Sequence, residues 1–323
     1  MSLYLPISAL VAGMIGLMWG ADKFITGSAS LARSVGISSL VIGLTVVSIG
    51  TSVPEIIVSV NAALQGSGQL AVGNALGSNI ANIGLVLGIT LLIAPIPIQK
   101  ALLKQEGVIL FAVTGLAGIC LYNGFLGRLE SLLLILLVIP LLVLAAKYKK
   151  SLAESSETQI TQSFSTKGAL VSFFIGLICL LVCAELTVWG AKSIALSMGV
   201  SELVIGLTII AIGTSLPELA ASVMSAIRGH HDIAVGNIIG SNLFNLLLVM
   251  GAAGAISPIA LDSQVFSRDF TAMTALTILM LIFMAAALRN KVDRPKLPKM
   301  AGFVLLVAYC LYYVVLWCSS TGN

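Results

Sequence analysis

Two hexapeptides constrain this chain more than any other feature. Gly50 to Glu55 reads G-T-S-V-P-E and Gly213 to Glu218 reads G-T-S-L-P-E, each inside a long apolar run. A proline within a helix removes one backbone hydrogen bond and clashes with the carbonyl four residues back. Here those carbonyls belong to Gly50 and Gly213. A glutamate beside such a break, at bilayer depth, has no water to solvate it. Freed carbonyls next to a buried carboxylate form an oxygen-rich pocket suited to a hard cation.

The apolar runs place these motifs in a membrane. Of 323 residues, 58% are hydrophobic and only 9% charged, against about 25% charged in a soluble domain. Runs of about 20 apolar residues match the thickness of a bilayer. Ten spans are expected, near 3–21, 37–65, 70–92, 106–122, 129–146, 168–190, 200–227, 232–256, 270–288 and 301–318. The expected class is an all-α polytopic membrane protein. The first run starts at Leu3 with no basic region before it and no small-residue cleavage pattern after it, so it reads as a retained helix. The longest polar stretch, Lys147 to Lys167, reads as a linker between a first half, 1–146, and a second, 168–323.

The five cysteines (Cys120, Cys179, Cys183, Cys310, Cys318) lie in apolar runs without disulfide or zinc spacing, and read as small packing residues. The net charge of +4 carries no nucleic-acid signal, because the basic residues sit in short loops. Those loops set the orientation. With the N-terminus outside, 14 of the 17 Lys and Arg fall on the cytoplasmic side, Lys23 and Arg33 counted as loop residues. Both termini are therefore expected outside a cytoplasmic (inner) membrane, with the linker inside. No cofactor and no obligatory protein partner is expected beyond the lipid bilayer.

The halves repeat. At a constant offset of 163 and without a gap, Gly36–Asn82 aligns with Gly199–Asn245, with 26 identities over 47 positions. Five spans per half is an odd number, so the second half is expected upside down. Inverted repeats with broken helices near the midplane are the architecture of secondary transporters. The motif regions are 43–82 and 206–245.

Read as helices, the motif segments carry polar stripes. Ser48, Ser52, Glu55 and Ser59 share one face, as do Ala211, Ser215, Glu218 and Ser222, with Thr51 and Thr214 at the flanks. The next span adds Asn74, Ser78 and Asn82, copied as Asn237, Ser241 and Asn245. The pairs Gly73/Gly77 and Gly236/Gly240 allow close helix approach. Nothing basic lies in the same spans to pair with Glu55 or Glu218, and inverted symmetry is expected to set the two carboxylates face to face. Asp22 and Glu185, near span ends, read as structural. His230 and His231 share a short polar loop with Arg228 and Asp232 and read as solvated; Asp262, Arg268 and Asp269 read as an outer loop.

Two ionised glutamates match one divalent cation. Carboxylates, freed carbonyls and hydroxyls can supply the roughly 6–8 oxygens that Ca²⁺ prefers, whereas Mg²⁺ gives up water reluctantly. Transition metals favour His or Cys, which the motifs lack. Two facing carboxylates in an empty site are unfavourable. The site is thus expected to cross loaded, with one divalent ion or with several Na⁺ or H⁺, which gives exchange rather than leak.

The pattern G-T-S-x-P-E followed by G-N-x-x-G-S-N-x-x-N, present twice, resembles the sodium/calcium exchangers of the cation/calcium exchanger superfamily, in their compact ten-span prokaryotic form. The resemblance implies ion ligation by Glu55 and Glu218, by Thr51 and Thr214 partly through backbone carbonyls, and by Ser52, Ser215, Ser78, Ser241 and Asn82. It also implies sliding of spans one and six across the other eight. Sodium-driven members commonly carry an aspartate where this chain has Asn245, so the last candidate ligand is a neutral amide and potassium co-transport is not expected. The reading is a Ca²⁺/Na⁺ antiporter, not an enzyme. A Ca²⁺/H⁺ antiporter on the same scaffold is the alternative. A passive cation channel fits less well, because the acids occur once per half rather than in a ring.

Overall fold

Helix α1 (Tyr4–Val35) runs 32 residues because nothing in it breaks a helix until Gly36, whose φ of 67° is left-handed. There Ile37 N–H caps Ala32 O at 2.8 Å, a glycine-terminated C-cap. Its counterpart α8 (Thr166–Ser197) is also 32 residues long and is followed by Gly199 at φ 78°. Both overrun the expected spans, 3–21 and 168–190. Asp22, Lys23, Glu185 and Lys192 are polar but helix-compatible, so charge alone does not end the helix. Lys23 and Arg33 therefore lie on α1 rather than in a loop. At about 1.5 Å per residue each helix is about 48 Å long, more than the ~30 Å hydrocarbon layer.

The computed structural model describes residues 3–147, 166–199, 209, 211–289 and 295–321. The other helices in chain order are α2 (Ser39–Thr51), α3 (Val53–Leu64), α4 (Gly68–Ile93) and α5 (Lys100–Leu121), then α6 (Arg128–Leu136) and α7 (Val138–Lys147). After α8 come α9 (Ala211–Thr214), α10 (Leu216–Ile227), α11 (His231–Ile256), α12 (Val265–Arg289) and α13 (Lys299–Thr321). Among the described residues seven helices are long and apolar enough to cross a membrane, or eight with the bent pair α2–α3 taken as one. The protein is a predominantly helical membrane protein of the all-α class. Most of the expected linker (148–165) and the start of the second motif region (206–208 and 210) lie outside the described residues.

The chain forms two compact units, one of Met1–Pro54 with Leu142–Asn237, the other of Glu55–Leu141 with Ile238–Asn323. Each unit draws on both sequence halves. In the first, α1 and α8 pack through glycines: a Cβ on Gly27 would come within 2.5 Å of Phe173 N. Phe24 and Phe173 meet in a tilted pair beside that seam, ring centroids 5.0 Å apart, in a core with Leu17, Ile25, Leu180 and Met224. In the second, α4 meets α13 just as closely, where a Cβ on Gly302 would sit 2.6 Å from Gly88 O. Two short antiparallel clips, β1 (Ile96–Pro97) with β4 (Lys296–Leu297) and β2 (Phe125–Leu126) with β3 (Ile259–Ala260), tie loops of this unit together.

One charged group keeps its structural reading, and three polar groups depart from theirs. Asp22 and Arg228 form an ion pair at 2.6 Å. Arg268 and Asp269 are helical rather than loop residues: Asp269 is buried, bound by the Arg268 guanidinium and by Tyr312 Oη at 3.0 Å. His230 is half-buried rather than solvated, and its burial, followed by the charges of Arg33, His231 and Arg228, pushes its pKa down to about 4.

Candidate cation-binding site

The two prolines break their helices as the missing N–H requires. Helix α2 stops at Thr51, Ser52 adopts φ −82° and ψ 7°, and α3 departs at 47° with Pro54 in its first turn. In the second copy α9 stops at Thr214, Ser215 adopts φ −91° and ψ 6°, and Pro217 lies in the first turn of α10. Wide π-type turns open at Asn82 in α4 and at Asn245 in α11, the same register of the repeat. Such turns free backbone groups and recur at functional sites.

The ten candidate residues divide five and five between the units. The first unit holds Thr51, Ser52, Thr214, Ser215 and Glu218. It brings the two motifs into contact: Ser52 Oγ donates to Glu218 Oε1 at 3.1 Å, and Thr51 Oγ1 donates to Asn237 Oδ1 at 3.2 Å. Glu218 is 1% exposed, and its Oε2 has no hydrogen-bond partner among the described residues; nor has Ser215 Oγ. Thr214 is half-buried. The second unit holds Glu55, Ser78, Asn82, Ser241 and Asn245, all buried. Both polar atoms of Asn82, both of Asn245, and Ser241 Oγ lack a partner among the described residues. Unsatisfied buried polar atoms are costly, about 1–3 kcal/mol each, so this cluster is poised for a ligand.

Asn74 and Asn237, at the head of each stripe, do different work. Asn74 Nδ2 donates to Glu55 O at 3.2 Å and Ser59 Oγ at 3.0 Å. Asn237 Nδ2 donates to Glu218 O at 3.5 Å and Ser222 Oγ at 3.0 Å. Both clamp the helix that starts after the break, so their amides are positioning groups. The stripe showed which face they occupy but not the distance to a partner. Sequence reasoning passed over Asn79 and Asn242, although they are identical partners in the repeat. Asn79 Nδ2 donates to Asn242 O at 3.2 Å, and each leaves its Oδ1 buried without a partner among the described residues.

The donor set is hard: carboxylate, hydroxyl and amide oxygen. Among the described residues no three His, Cys, Asp or Glu side chains gather as a transition-metal site would need. Hard oxygen donors suit alkali and alkaline-earth cations.

Comparison with known proteins agrees with this chemistry. A family model described as "Sodium/calcium exchanger protein" matches residues 5–147 and 168–318. The chain is 42% identical over 317 residues to the putative antiporter CaxA of Alkalimonas amylolytica, covering 96% of this chain and 98% of that one. It is 40% identical to the inner membrane protein YrbG of Escherichia coli, covering 85% and 87%. A solved structure of the sodium-calcium exchanger NCX_Mj aligns with a TM-score of 0.82 at 33% identity, covering 96% and 98%.

Proposed function

Since the chain belongs to the sodium/calcium exchanger family, we propose that it is an antiporter exchanging Ca²⁺ for Na⁺ across the cytoplasmic membrane by alternating access. We assign the ion ligands to Glu55, Glu218, Thr51, Thr214, Ser52, Ser215, Ser78, Ser241, Asn82 and Asn245, on the strength of the repeat and of the family. The same repeat supports two inverted five-helix halves, 1–146 and 168–323. The basic-residue bias supports termini on the outer side, and the likeness to YrbG supports the inner membrane.

The observation that carries this reading is Glu218. It lies in an apolar helix, 1% exposed, one carboxylate oxygen held by Ser52 and the other without a hydrogen-bond partner among the described residues. No basic side chain forms an ion pair with it among the described residues. A carboxylate so placed calls for a cation. With Glu55 and Glu218 ionised, one Ca²⁺ brings the ligand set to zero charge. The neutral amides and hydroxyls replace ion hydration without adding charge, so ions of different valence can take turns. Return of an empty, doubly negative site is disfavoured, which couples the two fluxes.

Calcium uptake into vesicles containing the purified protein tests the reading, with Na⁺ and H⁺ gradients imposed separately. An outward Na⁺ gradient should drive Ca²⁺ uptake and a proton gradient alone should not. Uptake driven only by protons would replace Na⁺ by H⁺ as the counter-ion. Uptake without any gradient of either would remove the antiport.

A further inference from the structure

Metal-ligating atoms meet at a second place. On α8, Cys179 and Cys183 stand one turn apart with Sγ atoms separated by 3.7 Å. Both thiols are half-buried and both lie against α1. Cys179 Sγ is 3.5 Å from Gly16 O, and a Cβ on Gly16 would collide with Cys183 Sγ. At the repeat offset of 163 the corresponding residues of α1 are Gly16 and Gly20. One helix of the pair therefore brings two thiols to the seam where the other brings bare backbone.

We infer that Cys179 and Cys183 form a two-thiol site for a soft divalent cation of the zinc–cadmium–mercury class, separate from the oxygen donors assigned to the transported ions. The spacing fits. A tetrahedral ion bonded to two thiolates at about 2.3 Å holds the sulfurs about 3.8 Å apart, so the helix need not rearrange. Gly16 O offers an oxygen donor next to the pair. The charge also fits an apolar segment. Two S–H bonds break, two protons leave to water, and two sulfur–metal bonds form. The ion with its two thiolates is then neutral, and no electron is transferred. Softness separates the two sites, because thiolates select such ions over Ca²⁺ and Na⁺.

The test is a titration of Cd²⁺ into the purified full-length protein in detergent, with excess Ca²⁺ present to hold the oxygen ligands. The readout is the sulfur-to-cadmium charge-transfer absorption, which oxygen-bound cadmium does not give. Wild type and the triple variant C120S/C310S/C318S should each saturate at one sulfur-bound Cd²⁺ per chain. Cys179→Ser and Cys183→Ser should each lose the band while keeping the wild-type thermal midpoint. Each position is also changed to Ala, so that a variant that fails to fold has a replacement, and wild type alkylated with N-ethylmaleimide should lose the band too. A band that survives in the Cys179 or Cys183 variants, or that never forms in wild type, overturns the site.

Discussion

In the first copy of the motif, Asn74 is half-buried. In the second copy, Asn237 is fully buried, and a Cβ on Gly236 would lie 2.7 Å from Leu40 O. The most apolar stretch of α4 is 72% buried and that of α11 is 94% buried. Yet the clamp is the same in both, an asparagine amide donating to the glutamate carbonyl and to the serine one turn on. Local geometry thus follows the repeated sequence, while solvation follows the surroundings. Asn237 has its amide oxygen engaged by Thr51.

The comparison breaks most sharply at the acids. Glu55→Gln and Glu218→Gln should each reduce calcium exchange at least ~100-fold in vesicles while leaving the protein folded. One unit charge at 4 Å is worth about 4 kcal/mol even at an effective dielectric of 20, and tenfold costs only about 1.4 kcal/mol. If the two variants differ widely in residual flux, the copies are not equivalent in function. If either transports near the wild-type rate, the ligand assignment fails.

The clamps come next. Asn237→Ala should cost about 2–3 kcal/mol and Asn74→Ala about 1 kcal/mol, because Asn237 is fully buried and Asn74 only half-buried. Thermal unfolding in detergent should rank the two, with the lower midpoint for Asn237→Ala. Equal midpoints would mean that burial of the second copy does not strengthen its clamp.

Asn245→Asp probes the one ligand position where a third charge is expected in sodium-driven relatives. One Ca²⁺ would then leave the site at −1, whereas three Na⁺ would balance it. Calcium uptake should become about tenfold more sensitive to competing Na⁺, and more dependent on pH, because clustered acids disfavour one another's ionisation. Overlaid sodium and pH profiles would show that residue 245 does not meet the ions.

The smallest effect belongs to His230, and only in acid. Its folded pKa of about 4 lies below the ordinary value of 6.5, so the unfolded chain binds more protons between those two pH values. Stability should therefore fall as pH drops from about 6.5 to about 4. His230→Gln should flatten that part of the curve and leave stability at pH 8 unchanged. A wild-type acid slope in the variant would assign the loss to another group.

The sequence alone determined whatever depends on one residue and its near neighbours along the chain. Pro54 and Pro217 have no N–H to give, so helices break at Ser52 and Ser215 wherever those segments are placed. The apolar runs required a membrane, and the ungapped repeat required the same clamp twice. Tertiary structure decided what depends on a partner far off in sequence. Asp22 reads alike in a loop or a helix, and only α1's packing against α8 and α10 shows it paired with Arg228. The serine stripe marked a face, but the contact of Ser52 with Glu218, 166 residues away, depends on how two broken helices meet. Cys179 and Cys183 read as packing residues until their sulfurs were seen 3.7 Å apart on the backbone of Gly16. Periodicity records which way a side chain points; the distance to its partner is set by the packing of helices whose contacts the local sequence does not encode.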